Sequence, residues 1–193
     1  MDAIHEISPT KFEVITHKQY HAHDLSPKSV AASPLDQFRS WFKDVQNSVD
    51  EPEVMSLSTS TQSGIPSSRF VLLKQVDERG FVFFTNYSSR KSTELSDNPH
   101  AALAFYWREV SRQVRVVGRV EKVSKEESEA YYKTRPIGSR VGAWASPQSS
   151  VVGEGEVQQL FEGYREKFGI SSVTKDADIP LPEFWGGWRV VPE

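Results

Sequence analysis

Ser68-Arg69-Phe70-Val71-Leu72-Leu73-Lys74, followed by Phe83-Phe84-Thr85-Asn86-Tyr87-Ser88-Ser89-Arg90-Lys91, sets four cations around two apolar segments that read as strands. That combination points to a phosphorylated ligand held against a sheet. Arg69 and Lys74 are an odd number of positions apart, so on one regular strand they face opposite ways unless twist, a bulge or a strand end redirects one of them. A single ligand with two charged parts could engage both.

Working outward, strands are expected over 55–60, 69–76, 80–86, 101–107 and 113–123, separated by short punctuation. Asp77-Glu78-Arg79-Gly80 fits a tight hairpin because glycine takes positive φ at little cost. A short helix over 91–96 should stop at Asn98-Pro99, since the residue before proline is pushed away from helical ψ. Ser88-Ser89-Arg90-Lys91 then lies at that helix's N-terminus, where unsatisfied N–H groups suit a phosphate. An ordinary serine N-cap explains the same residues, and both readings stay open.

Ser33-Pro34, with Asp36 in the first turn, begins a helix whose face of Leu35, Phe38, Trp41, Phe42 and Val45 should cover the sheet. Ser124-Lys125-Glu126-Glu127 is a capping box opening a helix through Thr134. Tyr131 and Arg135 share its last face, Pro136 closes it, and Gly138-Ser139 reads as a flexible turn. Tyrosine hydroxyl, guanidinium and serine hydroxyl converging there could bind a second phosphate. A helix C-terminus neutralised by Arg135 is the simpler reading of those residues alone. Residues 142–150 read as a loop, 154–168 as a helix, and Phe184-Trp185-Gly186-Gly187-Trp188-Arg189-Val190 as a glycine-broken aromatic strand.

With 193 residues, 37% hydrophobic and 25% charged, the chain fits one domain over 33–193 behind an N-terminal arm over 1–32. A net charge of −3 argues against general nucleic-acid binding and directs the local basic clusters toward a small anion. The absence of cysteine excludes disulfides, thiolate metal sites and cysteine nucleophiles, and makes the cytoplasm the default location. No leader pattern and no membrane-length apolar run is present, so a soluble protein is expected. His17, His21 and His23 lack ligand spacing and read as solvated, with no metal site expected.

In order and wording these segments closely resemble the pyridoxine/pyridoxamine 5′-phosphate oxidases, FMN enzymes of vitamin B6 metabolism. The resemblance runs from about Ser33 to Pro192. It rests on Arg69-Phe-Val-Leu-Leu-Lys74, Phe83-Phe-Thr-Asn-Tyr-Ser-Ser-Arg-Lys91, Asn98-Pro99, Phe105-Tyr-Trp107, Arg112-Gln-Val-Arg115, Tyr131 to Arg135-Pro136, Gly142-Ala-Trp-Ala-Ser146, Gln148-Ser149-Ser150 and Phe184-Trp-Gly-Gly187. It implies a mainly β fold with flanking helices, an antiparallel split β-barrel, homodimeric, with FMN at the subunit interface. By resemblance Arg69, Val71, Leu72, Phe84, Thr85, Arg90, Lys91, Gln113, Gln148 and Ser149 contact FMN. Lys74, Tyr131, Arg135 and Ser139 match the family's anchors for the substrate phosphate. Taken by itself, Gln113 on its apolar strand equally suits a satisfied sheet-face residue.

The implied reaction is oxidation of pyridoxine or pyridoxamine 5′-phosphate to pyridoxal 5′-phosphate, with dioxygen as acceptor and hydrogen peroxide as product. Two family features have no match here. The family's later Phe-Trp-Gln-Gly and Arg-Leu-His-Asp-Arg segments have no counterpart up to Glu193, so no catalytic residue is carried over. The arm reads His17-Lys18-Gln19-Tyr20 where bacterial relatives have Arg-Arg-Glu-Tyr, leaving only Tyr20 as a match. An FMN-dependent oxidase is therefore expected, with a non-catalytic or impaired dimer that binds FMN or pyridoxal phosphate as the alternative.

Overall fold

A computed structural model of the chain describes residues 4–8, 11–14, 19, 25–171, 173 and 177–193. His17, Tyr20, His21 and His23 lie outside the described residues. Within the arm, β1 (Ile4–Ser8) and β2 (Lys11–Val14) pair antiparallel with each other, where the sequence suggested no regular structure. Such a ribbon is joined through backbone groups and leaves little periodic side-chain signal.

α1 (Pro34–Val45) begins as its sequence demands: the Ser33 hydroxyl accepts from the Leu35 N–H at 3.2 Å and Pro34 takes the first turn. Its buried Phe38 meets Phe81 edge-on at 4.9 Å and Phe105 at 5.1 Å, so α1 plugs one end of the sheet's interior.

The strands are β3 (Val54–Ser60), β4 (Pro66–Leu72), β5 (Gln75–Val76), β6 (Phe81–Asn86), β7 (His100–Trp107), β8 (Arg112–Lys122) and β9 (Trp185–Pro192). They form one antiparallel sheet in the order β4-β3-β7-β8-β9-β6-β5. Its two edges, β4 and β5, are consecutive in the chain and separated only by Leu73 and Lys74. Three Cα steps span at most about 11 Å, so the sheet must curl until its edges meet.

The single strand expected over 69–76 is thus two. Leu73 N–H donates to the Glu53 carbonyl at 2.9 Å on the β3 side, and Lys74 N–H to the Val82 carbonyl at 2.9 Å on the β6 side. The pairing partner changes between those two residues, which no apolar run can reveal. After β5 the expected hairpin turn is present. Asp77 Oδ1 accepts from the Arg79 and Gly80 N–H groups at 2.8 and 3.0 Å, and Gly80 holds φ +143°.

Alternation on β3 and β7 sends Met55, Leu57, Ala101, Leu103, Phe105 and Trp107 inward, where Phe83, Val116, Val120 and Trp188 complete the barrel core. β9 is buried on both faces from Trp185 to Val190, and its glycines are spatial requirements. A Cβ on Gly187 would come within 2.6 Å of Val123 Cγ2 and 2.9 Å of Phe84 Cε1.

The helices α2 (Arg90–Asp97), α3 (Lys125–Thr134), α4 (Ile137–Ala145) and α5 (Glu156–Lys167) flank the sheet. α4 corrects the sequence reading, which had a flexible turn at Gly138-Ser139 and a loop over 142–150. Val141, Ala143 and Ala145 are buried along it, and Trp144 packs on Tyr164 and Phe168 near 5.5 and 5.7 Å. Tertiary burial outweighs the poor helix propensity of Gly138 and Gly142, and the irregular stretch starts only at Ser146. No helix among the described residues is long and apolar enough to cross a membrane.

Arg189, 3% exposed, ties three elements to β9: it donates to Asp77 at 2.6 Å, Glu127 at 2.8 Å and Glu121 at 3.3 Å. Glu127 thereby serves Arg189, while the Ser124 half of the capping box accepts from the Glu127 N–H at 3.1 Å. Replacing Arg189 with Met leaves part-exposed Asp77 and Glu127 without this counter-ion, while Glu121 keeps its pair with Arg79. The Arg189→Met variant is expected to lose about 2–3 kcal/mol of unfolding free energy in urea titrations at neutral pH. The Asp77 part of the deficit should shrink on acidification, because against the cost of burial the Arg79 N–H and Arg189 hold that carboxyl below its ordinary pKa and the pairing is lost as it protonates.

Candidate active site

The closed corner opens into a cleft of about 780 Å³. Thirteen of the fourteen candidate residues line it: Arg69, Val71, Leu72, Lys74, Phe84, Thr85, Arg90, Lys91, Tyr131, Arg135, Ser139, Gln148 and Ser149. Arg69 on β4 and Lys74 reach the same cleft because β4 ends at Leu72, so the strand end redirects Lys74.

One group in its lining is cationic. Lys91 is 7% exposed, and among the described residues its Nζ donates only to neutral oxygens: Gln148 Oε1 at 3.2 Å, Ser89 Oγ at 3.3 Å and Thr85 Oγ1 at 3.4 Å. Burial, then the charge of Arg69, pulls its pKa down. A buried cation without an anion is costly and fits a site awaiting one. Ser89 occupies the cap position of α2, yet its hydroxyl donates back to the Asn86 carbonyl at 2.7 Å and makes no cap bond. The ordinary serine-cap reading of that turn therefore fails.

Beneath the cations sits Glu94, 4% exposed. Its Oε1 accepts from Arg90 Nε at 2.8 Å; its Oε2 accepts from Thr59 Oγ1, from Ser67 Oγ at 2.5 Å and from Arg69 Nη2 at 3.4 Å. Burial alone would raise its pKa, but the Ser67 and Thr59 hydroxyls and the Arg90 pair hold it down to about 2. Three cations face one carboxylate here, a net of +2, which complements a phosphate monoester dianion.

Lys74, Tyr131, Arg135 and Ser139 form a second polar group in the lining of the same cleft. Arg135 lies over the Trp185 ring at 4.7 Å, and its buried Nη1 has no hydrogen-bond partner among the described residues. Burial lowers its pKa. Phe84, Tyr131 and Trp185 stack nearly parallel, Phe84 and Tyr131 with centroids 4.0 Å apart, so an aromatic stack also lines the cleft.

Gln113 stands apart. It is exposed on β8 opposite Tyr106 and does not line this chain's cleft. The sequence reading missed Glu94 and the supporting Thr59 and Ser67. Arg90, just before the helix expected over 91–96, and Glu94 within it stand at i, i+4; that was the available signal, and surface pairs of that spacing are too common to single one out. Trp185 entered only within a motif; its place in the stack depends on a contact across about fifty residues of chain.

Residues 42–160 match the family described as pyridoxamine 5′-phosphate oxidase. A pyridoxine/pyridoxamine 5′-phosphate oxidase of Cupriavidus taiwanensis is 53% identical over 170 residues, covering 87% of this chain and 77% of that protein. Those of Cupriavidus necator and Trichormus variabilis are 51% and 48% identical, each over 91% of this chain and 80% of the relative. The chain belongs to the pyridoxamine 5′-phosphate oxidase family, a family of oxidoreductases.

Solved structures agree with the family's fold. PhzG from Burkholderia lata, crystallised with tetrahydrophenazine-1-carboxylic acid, superposes with a TM-score of 0.79 at 25% identity, over 89% of this chain and 83% of that one. An FMN-binding protein from Nostoc punctiforme, related to pyridoxamine 5′-phosphate oxidase, shares the fold at TM-score 0.65 and 16% identity, over 84% of this chain and 82% of that one. The split barrel of the oxidase family is therefore present, built on the two-residue corner.

The Glu94 pair makes an acid-stability prediction for this family member. A carboxyl whose folded pKa of about 2 lies below its ordinary 4.5 stabilises the fold above the ordinary value and loses that contribution as pH falls toward the folded one. Denaturation midpoints measured from about pH 6 downward should therefore fall on acidification, and Glu94→Gln, already lacking that charge, should show a shallower fall.

Proposed function

We propose that this chain binds FMN and oxidises pyridoxine 5′-phosphate or pyridoxamine 5′-phosphate to pyridoxal 5′-phosphate, with dioxygen as acceptor. The observation that carries it is one cleft lined by two groups of phosphate-seeking side chains, Arg69, Arg90 and Lys91 in one and Lys74, Tyr131, Arg135 and Ser139 in the other, together with an aromatic stack. One phosphorylated ligand leaves one group unused; a phosphorylated cofactor and a phosphorylated substrate use both.

Arg69, Arg90, Lys91, Thr85, Gln148 and Ser149 hold the FMN phosphate in this reading, and the Val71-Leu72 backbone and Phe84 run along the rest of the cofactor. The fit rests on buried Lys91, whose hydrogen-bond acceptors among the described residues are all neutral, and on the net of +2 in that group. When bound, FMN supplies hydride acceptance from the substrate's C4′ carbon and electron delivery to dioxygen, which leaves as hydrogen peroxide. With the amine substrate, water enters and ammonia departs. Lys74, Tyr131, Arg135 and Ser139 grip the substrate phosphate, giving Arg135 Nη1 its missing partner. The chain's own task is orientation: two fixed phosphates leave the reactive parts facing one another.

A homodimer completes the site. Phe70, Tyr106 and Val117 are 77%, 59% and 45% exposed on the outer face of the sheet, where Phe70, Ser56, Ala104 and Arg115 form one cross-strand row. Phe70 and Leu72 border the cleft as well as this face, so a second copy seated there would wall the cleft. Gln113, on the same face, is then positioned to serve the partner's FMN. A cysteine-free chain suits the reducing cytoplasm, where we place the enzyme.

Titration of the purified protein with FMN, followed by assays for pyridoxal 5′-phosphate and peroxide from pyridoxine 5′-phosphate, tests this function. Flavin binding with both products formed is expected; flavin binding without turnover would favour the non-catalytic dimer, and no flavin binding would end both. Arg135→Ala should raise KM for the phosphorylated substrate about 10- to 100-fold, and an unchanged KM would remove Arg135 from the phosphate site. Phe70→Asp should convert dimer to monomer in light scattering and weaken FMN binding; a monomeric wild type would contradict the dimer.

A further inference from the structure

Glu94 poses a physical problem: a buried carboxylate directly beneath a site that is to receive an anion repels its own ligand. Its bonds explain what it contributes. Arg90 meets Oε1 through Nε at 2.8 Å, so both Nη groups of a side chain that is 60% exposed stay available to a ligand. Without that tether a long, solvated side chain would sample many rotamers and meet a phosphate only after losing that freedom.

Arg69 is fixed by a relay. The Thr59 hydroxyl donates to Glu94 and accepts from Arg69 Nη1 at 2.7 Å; the Ser67 hydroxyl donates to Glu94 at 2.5 Å and accepts from Arg69 Nη2. A hydroxyl has one hydrogen to give, and an ionised carboxylate can only accept. Glu94 therefore commits both hydrogens to itself and turns the hydroxyl lone pairs toward the guanidinium. Arg69 Nη1 also donates to the Leu57 carbonyl at 3.0 Å, so the group is held from several sides. A neutral amide at position 94 has one acceptor oxygen and a donating NH2, and some donor would then face a donor. The property required is acceptor charge, not side-chain shape.

We infer that Glu94 is the positioning residue of the phosphate cradle, orienting Arg90 directly and Arg69 through Thr59 and Ser67 in addition to its own 3.4 Å contact, so that recognition of the phosphate and not of the flavin ring depends on it. This rests on the proposed reading that the Arg69, Arg90 and Lys91 group takes the FMN phosphate. Removing the carboxylate also adds a unit of positive charge; at Arg90, 60% exposed, that gain is screened by solvent and ions, though less so at buried Lys91. The loss of fixed geometry is not screened.

The test compares FMN with riboflavin, which lacks the phosphate, binding to flavin-free protein by fluorescence quenching. Wild type should prefer FMN strongly. Glu94→Gln should bind FMN about tenfold or more weakly while its riboflavin affinity holds, so the preference collapses. If Glu94→Gln keeps the wild-type preference, or loses both ligands alike, the positioning role is wrong and Glu94 is structural only. If wild type itself shows no preference, the phosphate assignment of this group fails, a distinct result that removes the inference with it. Should Glu94→Gln not fold, Thr59→Val cuts one arm of the relay at equal size; it should lower the FMN preference without changing riboflavin affinity, and an unchanged preference overturns the relay.

Discussion

Everything in this molecule depends on a two-residue connection. Leu73 and Lys74 join the two edge strands of a seven-stranded sheet, and a link that short holds those edges together. Closure gives the interior its shape, filled by Phe38, Phe81, Phe83, Phe105 and Trp107. It also sets the cleft at the corner where the edges meet, bringing Arg69 from one edge and Lys74 from the turn into one space despite their odd spacing. The fold and the site thus share a single cause.

A second constraint is electrostatic. Lys91 and Arg135 are cations held largely out of water, one among neutral oxygens and one with a buried donor unmet. Burial lowers the pKa of both, because surroundings poor in water disfavour the charged form. Within the proposed function these costs are offset only when phosphates arrive, which couples ligand binding to the stability of the cleft. Arg189 contrasts with them: buried in β9, it is met by three carboxylates and ties the sheet together.

Much of this was legible in the residues. The helix start at Ser33-Pro34, the hairpin at Asp77–Gly80 and the Ser124 cap follow from local chemistry, and local chemistry is what a sequence displays. The change of pairing partner at Leu73 was not legible, because a strand that ends and one that continues have the same apolar composition. The α4 helix was misread since two glycines and a serine look like a loop until Trp144 has Tyr164 and Phe168 to pack on. Glu94 stayed hidden for the same reason: its significance lies in hydroxyls from β3 and β4, 35 and 27 residues away. Gln113 was identified only through family likeness, and one chain's cleft does not contain it.

The central claim is that the cleft is lined by two distinct groups of phosphate-seeking side chains, with the cofactor's phosphate assigned to Arg69, Arg90 and Lys91. A crystal structure of the protein grown with FMN measures this directly. The account predicts the phosphate within hydrogen-bond distance of those three side chains and the ring along Val71 and Leu72. A phosphate seated instead at Lys74, Tyr131, Arg135 and Ser139 would contradict it.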